Sequence, residues 1–283
     1  RRERCEREER RGASPAVAND GSAVSPIVLV AHGSADPRAA SANRGLAEAL
    51  ARALPGVGAA AADGEVPEPP PVRVCFLDHA GPRPGEVLFS LAGEGHRSAT
   101  VVPLLLTAAY HGRVDLPAVL DRARTDGLQL PVAVTDVLGP VGGLVPQTLL
   151  AALRRRLTET GASFDAVVLA AAGTRDSVAR CTVEQTARAL GARLGVPCAA
   201  AYAAASGPTG AAAVAALRAA GAQRIIVAGY FLAPGRLYET VVSSALGGGA
   251  VAAAEPLGDA PELARLVLDR VAAAWAPGLP SAA

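Results

Sequence analysis

The 283 residues are 51% hydrophobic, 19% charged and 3% aromatic, which excludes a chain disordered throughout and allows one large domain or two ordinary ones. With residues 1–12 set aside, six arginines and four glutamates among them, 21 of the 27 basic residues face 22 of the 26 acids. That body, at net −1, offers neither the clustered basic face nor the stacking aromatics of a nucleic-acid binder.

Residues 1–25 are charged and then rich in Ser, Ala, Gly and Asn, a composition expected to form a disordered arm. Every basic residue is Arg, and Met is lacking even at the first position, as in a beginning cut short or mis-assigned. From Pro26 onward, short apolar runs alternate with Ala/Leu/Arg segments. Strands are expected at 27–31, 72–77, 99–105, 132–137, 166–170, 198–202, 224–228 and 250–254. Helices are expected at 39–54, 113–126, 145–160, 178–194, 210–220, 237–246 and 261–275. This alternation points to parallel sheets covered by helices on both faces. Ligands of such sheets bind outside the carboxyl ends of the strands. No apolar run reaches the ~20 residues of a bilayer span, and no secretory apolar stretch stands near the start, so a cytoplasmic chain with no membrane partner is expected. Cys5, Cys75, Cys181 and Cys198 form no C-x-x-C pair; they are read as buried small apolar residues, with no disulfide framework, structural zinc or iron–sulfur cluster expected.

The chain repeats itself. Val28 to Asp36 aligns with Val168 to Asp176 at an offset of 140, whereas Gly81-Pro82 aligns with Gly207-Pro208, and Val101 to His111 with Val227 to Leu237, at an offset of 126. One insertion accounts for the change: Pro55 to Pro71 stands where the second copy has only Gly195-Val196-Pro197. Two similar α/β domains follow, 26–160 and 161–283, with the helix at 145–160 as the last element of the first. One chain then already makes a contact that a shorter relative would make between subunits, which favours a monomer.

Duplication is an internal control: what the fold needs should appear in both copies, and what chemistry needs can survive in one. Gly33, Ser34 and Asp36 have counterparts in Gly173, Thr174 and Asp176 and read as a turn with Asp36 capping a helix that starts at Pro37. The four histidines, His32, His79, His96 and His111, all lie in the first copy. His32 closes the first strand and faces Ala172 in the alignment; Asp78 and His79 follow the second strand and face Ala204 and Ala205; His111 follows the third and faces Leu237. His96 stands in a loop before a strand and reads as a solvated residue. Several replacements on one rim suggest a site lost as a unit. Two imidazoles and a carboxylate suit borderline divalent metals, the carboxylate completing the site or accepting protons. No G-x-S-x-G, G-x-x-x-x-G-K-[ST] or strand-following G-x-G-x-x-G occurs, so serine hydrolase, P-loop and dinucleotide readings lose support.

The run Val28 to Arg38 containing His32-Gly33-Ser34-Ala35-Asp36-Pro37, the segment Phe76-Leu77-Asp78 and the segment Pro103 to His111 resemble the sirohydrochlorin chelatases of the CbiX/SirB type. The likeness covers residues 26–277 and includes the tandem duplication; Tyr230 to Arg236 is similar to the matching segment of two-domain members. The resemblance implies two chelatase-like domains and ATP-independent insertion of Fe²⁺ or Co²⁺ into sirohydrochlorin. It implies that His32 and His111 are metal ligands and proton acceptors. With the macrocycle across this rim, its carboxylates are expected at helix starts near Ser34 and at Arg38 or Arg113. Arg38 and Arg113 also have a plain reading as solvated helix residues. Asp78 replaces a usual Glu, which leaves His79 or water to assist, and Ala35 replaces a common Arg. Beyond the substrate metal no cofactor is expected. A ferrochelatase for another porphyrin and a non-catalytic tetrapyrrole or metal carrier are the alternatives.

Overall fold

The computed structural model describes residues 25–54, 69–107, 115–204 and 207–275. The expected arm, except Ser25, therefore lies outside the described residues, as do Cys5, His111 and Arg113. The first copy runs β1 (Ile27–Ala31), α1 (Pro37–Ala53), β2 (Val72–Phe76), α2 (Pro84–Gly93), β3 (Ala99–Pro103), α3 (Leu116–Thr125), β4 (Val132–Val134) and α4 (Gln147–Glu159). The second runs β5 (Ala166–Ala171), α5 (Ser177–Leu194), β6 (Cys198–Tyr202), α6 (Gly210–Ala219), β7 (Ile225–Gly229), α7 (Arg236–Gly247), β8 (Ala252–Ala253) and α8 (Pro261–Ala274). Each copy forms a four-stranded parallel sheet, ordered β2-β1-β3-β4 and β6-β5-β7-β8.

The strands alternate their faces as a period of two requires. Val28 and Val30 of β1 pack with Leu88 and Leu91 of α2 and Leu116 and Leu120 of α3 on the outer face. Ile27, Leu29 and Ala31 point the other way, into a continuous core shared with Val167 and Leu169 of β5 and with apolar faces of α1, α4, α5 and α8. On the far side Val168 and Ala170 meet α6 and α7 through Val214, Leu217, Val241 and Ala245. Helices thus cover both faces of both sheets. Truncating a fully buried leucine of the central core, such as Leu153 or Leu169, is expected to cost about 2–5 kcal/mol.

One helix was not singled out in the sequence. α2 carries Pro84, Val87, Leu88 and Leu91 on its buried face, but two glycines and a proline in ten residues mask that spacing. Its start is secured by Glu86, whose carboxylate accepts the Arg83 backbone N–H at 2.8 Å. The edge strands β4 and β8 are shorter than expected. The cysteines divide: Cys75 is buried, with its thiol pushed up to about 12 by desolvation, and Cys198 is half-buried. Cys181 corrects the expectation of burial: it is exposed on α5, its sulfur 3.7 Å from Gln185 Nε2.

The last helix of each copy serves the opposite sheet. In chain order α4 closes the first copy, yet it lies against β7 and α5; α8 lies against α1 and β3. Trp275, just past α8, donates its indole N–H to the buried Thr100 hydroxyl on β3 at 2.9 Å. Each exchanged helix also carries an arginine that bonds a loop carbonyl of the other copy. Arg156 donates from Nη2 to Leu257 O at 2.8 Å, and Arg270 from Nη2 to Gly139 O at 2.7 Å. Leu138-Gly139 and Leu257-Gly258 are equivalent, since the leucine N–H of each donates to the chain just past β3 or β7, at Leu105 O and Phe231 O, both 2.8 Å. No helix among the described residues is long and apolar enough to cross a membrane.

Candidate metal and tetrapyrrole site

β1 is buried along its length until His32, which follows it and is exposed. The β1/β2 ladder continues one step beyond the strands: Leu77 N–H donates to Ala31 O at 2.9 Å and Asp78 N–H to His32 O at 2.8 Å. Backbone pairing therefore fixes His32 and Asp78 as neighbours at the carboxyl ends of adjacent strands. Gly33 permits this. Its φ is +97°, and a Cβ there would stand 1.8 Å from Asp78 O, so no other residue allows the two segments to approach.

The turn behind His32 is built as the repeat suggested. Ser34 Oγ accepts the Asp36 N–H at 3.1 Å, and Asp36 caps α1 by accepting the Arg38 N–H at 2.9 Å. The second copy reproduces it with Thr174 Oγ1 and Asp176, which accepts the N–H groups of Val178 and Ala179. It also reproduces the ladder: Ala204 N–H donates to Ala172 O at 3.0 Å, and a Cβ on Gly173 would stand 2.0 Å from Ala204 O. The two rims share a backbone and differ in side chains, His32 and Asp78 against Ala172 and Ala204.

Asp78 is the electrostatic centre of the first rim. Its carboxylate accepts the His79 backbone N–H at 2.7 Å, and Oδ2 lies 3.6 Å from His79 Nε2. That backbone bond, followed by the nearby charges of His79, Arg83 and His32, holds its pKa below the usual carboxylate value. His79 adopts φ +60°, a left-handed conformation uncommon outside glycine and typical of constrained sites. Arg83 was not anticipated. It lies 4.0 Å from Asp78 Oδ1 and donates to Leu77 O at 2.5 Å, tying the end of β2 to the start of α2. Its clue in the sequence is Pro84, which marks a helix start and places Arg83 at its cap.

Arg38, a candidate for substrate carboxylates, is already engaged: its guanidinium pairs with Asp36 at 2.5 Å and with Glu239 at the start of α7. His96 stays apart, 3.7 Å from Glu94. Among the described residues no three His, Cys, Asp or Glu side chains converge as a metal site; His111 and Arg113 lie outside those residues. The end of β3 is described as far as Thr107. There Tyr230 of the second copy donates its hydroxyl to Leu106 O at 2.9 Å, a contact that the repeat alignment did not foretell.

Two parallel α/β units with exchanged terminal helices, one of them carrying polar groups at its strand ends, define a tandem α/β protein. The CbiX family model matches residues 26–160 and again 166–274. The chain belongs to the CbiX family, in a tandem form. SirB from Bacillus subtilis with Fe³⁺ is similar over 88% of this chain and 95% of its own, at 19% identity and a TM-score of 0.72. SirB from B. subtilis subspecies spizizenii in complex with cobalt matches 88% of this chain and 94% of its own, at 19% identity and 0.67. The CbiX structure described as the terminal enzyme for siroheme biosynthesis in denitrifying bacteria matches 89% of this chain and all of its own, at 20% identity and 0.57. At these identities the likeness is one of fold. Among curated proteins there is no significant sequence match.

Proposed function

We propose that this protein is a sirohydrochlorin chelatase, which inserts Fe²⁺ or Co²⁺ into the macrocycle without ATP. The observation that carries the reading is the asymmetry of the rims: the backbone that presents His32 and Asp78 presents Ala172 and Ala204 in the other copy. SirB structures with Fe³⁺ and with cobalt, and a CbiX structure described as a terminal enzyme of siroheme biosynthesis, support the same chemistry.

The macrocycle lies across the strand ends of the first copy, and His32 and His111 hold the aquated metal on one face. Each insertion of M²⁺ releases two pyrrolic protons. Asp78 is held toward its ionised form and is a weak base near neutrality, so the imidazole nitrogens that the metal vacates as it passes to the ring take the two protons, and the negative charge of Asp78 stabilises the cations they become. Ser34 Oγ uses a lone pair on the Asp36 N–H, which leaves its hydroxyl proton for a substrate carboxylate. Arg38 reaches such a carboxylate by leaving Glu239, and Arg113 is a second candidate. His79, beside Asp78, assists proton transfer. Domain limits of 26–160 and 161–283, a monomeric state and a cytoplasmic location complete the proposal.

The test is optical. Sirohydrochlorin with Fe²⁺ or Co²⁺ should be metallated by the wild type, and the His32→Ala/His111→Ala variant should be on the order of 10²-fold slower or worse. Equal rates for the two proteins would reject the chelatase reading.

A further inference from the structure

Two contacts between the copies at their rims differ in kind. The Tyr230 hydroxyl meets Leu106 O from a side chain that is only 4% exposed, a bond sealed from water. Arg38 and Glu239 instead join the start of α1 to the first turn of α7 through side chains that are 58% and 50% exposed. An ion pair so open to solvent contributes little and parts without unfolding anything.

The two carboxylates on Arg38 are not equivalent. Asp36 takes one edge of the guanidinium: Nε lies 3.0 and 3.1 Å from its two carboxylate oxygens, and Nη2 lies 2.5 Å from Oδ2. This contact is local, two residues along one turn, and Asp36 is itself fixed there as the cap that accepts the Arg38 N–H. Asp36 is also the larger cause of the raised pKa of Arg38, ahead of Glu239. Glu239 reaches across from the other copy and takes a bond from Nη2 alone. When Glu239 leaves, Asp36 therefore keeps the guanidinium oriented beside the turn that follows His32, with an Nη2 N–H to offer. Glu239 in turn keeps the favourable field of a helix start. The fold does not demand the pair: Val178, 60% exposed at the start of α5, holds the position of Arg38 in the second copy.

We propose that Glu239 is a specificity-determining residue for the tetrapyrrole: in the free protein it occupies the Nη2 donor of Arg38 that a substrate carboxylate takes on binding. The proposal rests on the chelatase reading for the nature of the substrate. Entry then exchanges one carboxylate for another. A ring with no carboxylate to present at Arg38 leaves Glu239 in place and the two rims tied. The half of the molecule without imidazoles thus helps to choose what reaches the half that has them.

The test uses the full chain as wild type, Glu239→Gln, Arg38→Gln and the double variant, each titrated with metal-free sirohydrochlorin and followed by absorbance. With no metal added, binding is read apart from turnover. Glu239→Gln should bind the ring about two- to fivefold more tightly, the size of one exposed ion pair, and Arg38→Gln should bind it more weakly. In the Arg38→Gln background the gain from Glu239→Gln should vanish, since residues that act through one another are not additive. Unchanged affinity in Glu239→Gln would overturn the proposal and leave the pair a structural contact. An equal gain in both backgrounds would also overturn it, because that marks only the loss of a negative charge near a polyanion. Failure of the chelatase reading has a separate signature: ring affinity that follows this cycle, with metallation by the wild type no faster than by His32→Ala/His111→Ala.

Discussion

The carboxyl-end rims of the two sheets form a natural controlled comparison. Both make the same ladder step past the strands, use the same hydroxyl-supported turn and cap the following helix with an aspartate. At the ends of the first two strands the side chains differ, His32 and Asp78 against Ala172 and Ala204. The lesson is that Gly33, Ser34 and Asp36, which dominate the recognisable motif, are explained first by folding, whereas His32 and Asp78 are displayed by the same backbone without a folding role of that kind, which is why the proposed chemistry is assigned to them. A motif that survives in a copy without its reactive groups is a scaffold.

The sharpest way to break the comparison is to exchange the side chains. His32→Ala should lower metallation on the order of 10²-fold, while Ala172→His should add none, because the second rim also lacks Asp78 and His111 equivalents; the optical assay reads both. Next come the glycines. Gly33→Ala and Gly173→Ala should each destabilise the fold by more than about 1 kcal/mol in urea titrations, since both need positive φ and both would press a Cβ on a carbonyl. Only Gly33→Ala should also disturb the placement of Asp78 and slow metallation in the fraction that stays folded. Equal activity losses would show that the rims are not functionally distinct.

The exchanged arginines sharpen the comparison further. Arg156→Met and Arg270→Met each remove a charged donor from a carbonyl of the opposite copy and should cost about 1.5–3 kcal/mol in unfolding midpoints. The smallest effect is pH-dependent. Asp165, before β5, accepts the N–H groups of Gln223 and Arg224, which lower its pKa; the same place in the first copy holds a neutral pair, Ser25 and Ser98. A depressed folded pKa means that the contribution is present above the ordinary carboxylate value and is lost as pH falls through the lower folded one. The stability difference between wild type and Asp165→Asn should therefore be seen at pH 7 and shrink below about pH 4, whereas Ser25→Ala should show no such dependence.

Much of this was legible in the residues. The strands β1 and β6 coincide with the apolar runs, and Asp36-Pro37 marks the start of α1 as capping chemistry requires. The offset of 140 set His32 against Ala172 because identical backbones need identical turn residues. Three things were hidden. α2 escaped because its glycines and Pro84 resemble a loop. The pairing of Arg38 with Glu239, 201 residues away, was not visible in either sequence reading of that arginine, as a substrate contact or as a solvated helix residue. Tyr230 stood out only as the start of the segment similar to two-domain members, and the acceptor of its hydroxyl, Leu106 O, is not visible in the chain order.

The sequence by itself determined the repeat, the parallel sheets, the turn that follows β1 and the confinement of imidazoles to one copy, since these depend on local spacing and on comparing one segment with another. Only the tertiary structure decided that α4 and α8 cross to opposite sheets, and that Tyr230 reaches Leu106. The physical reason is that an apolar stripe states that a helix face will be covered but not by which sheet. A buried hydroxyl likewise needs an acceptor, and chain order does not name it.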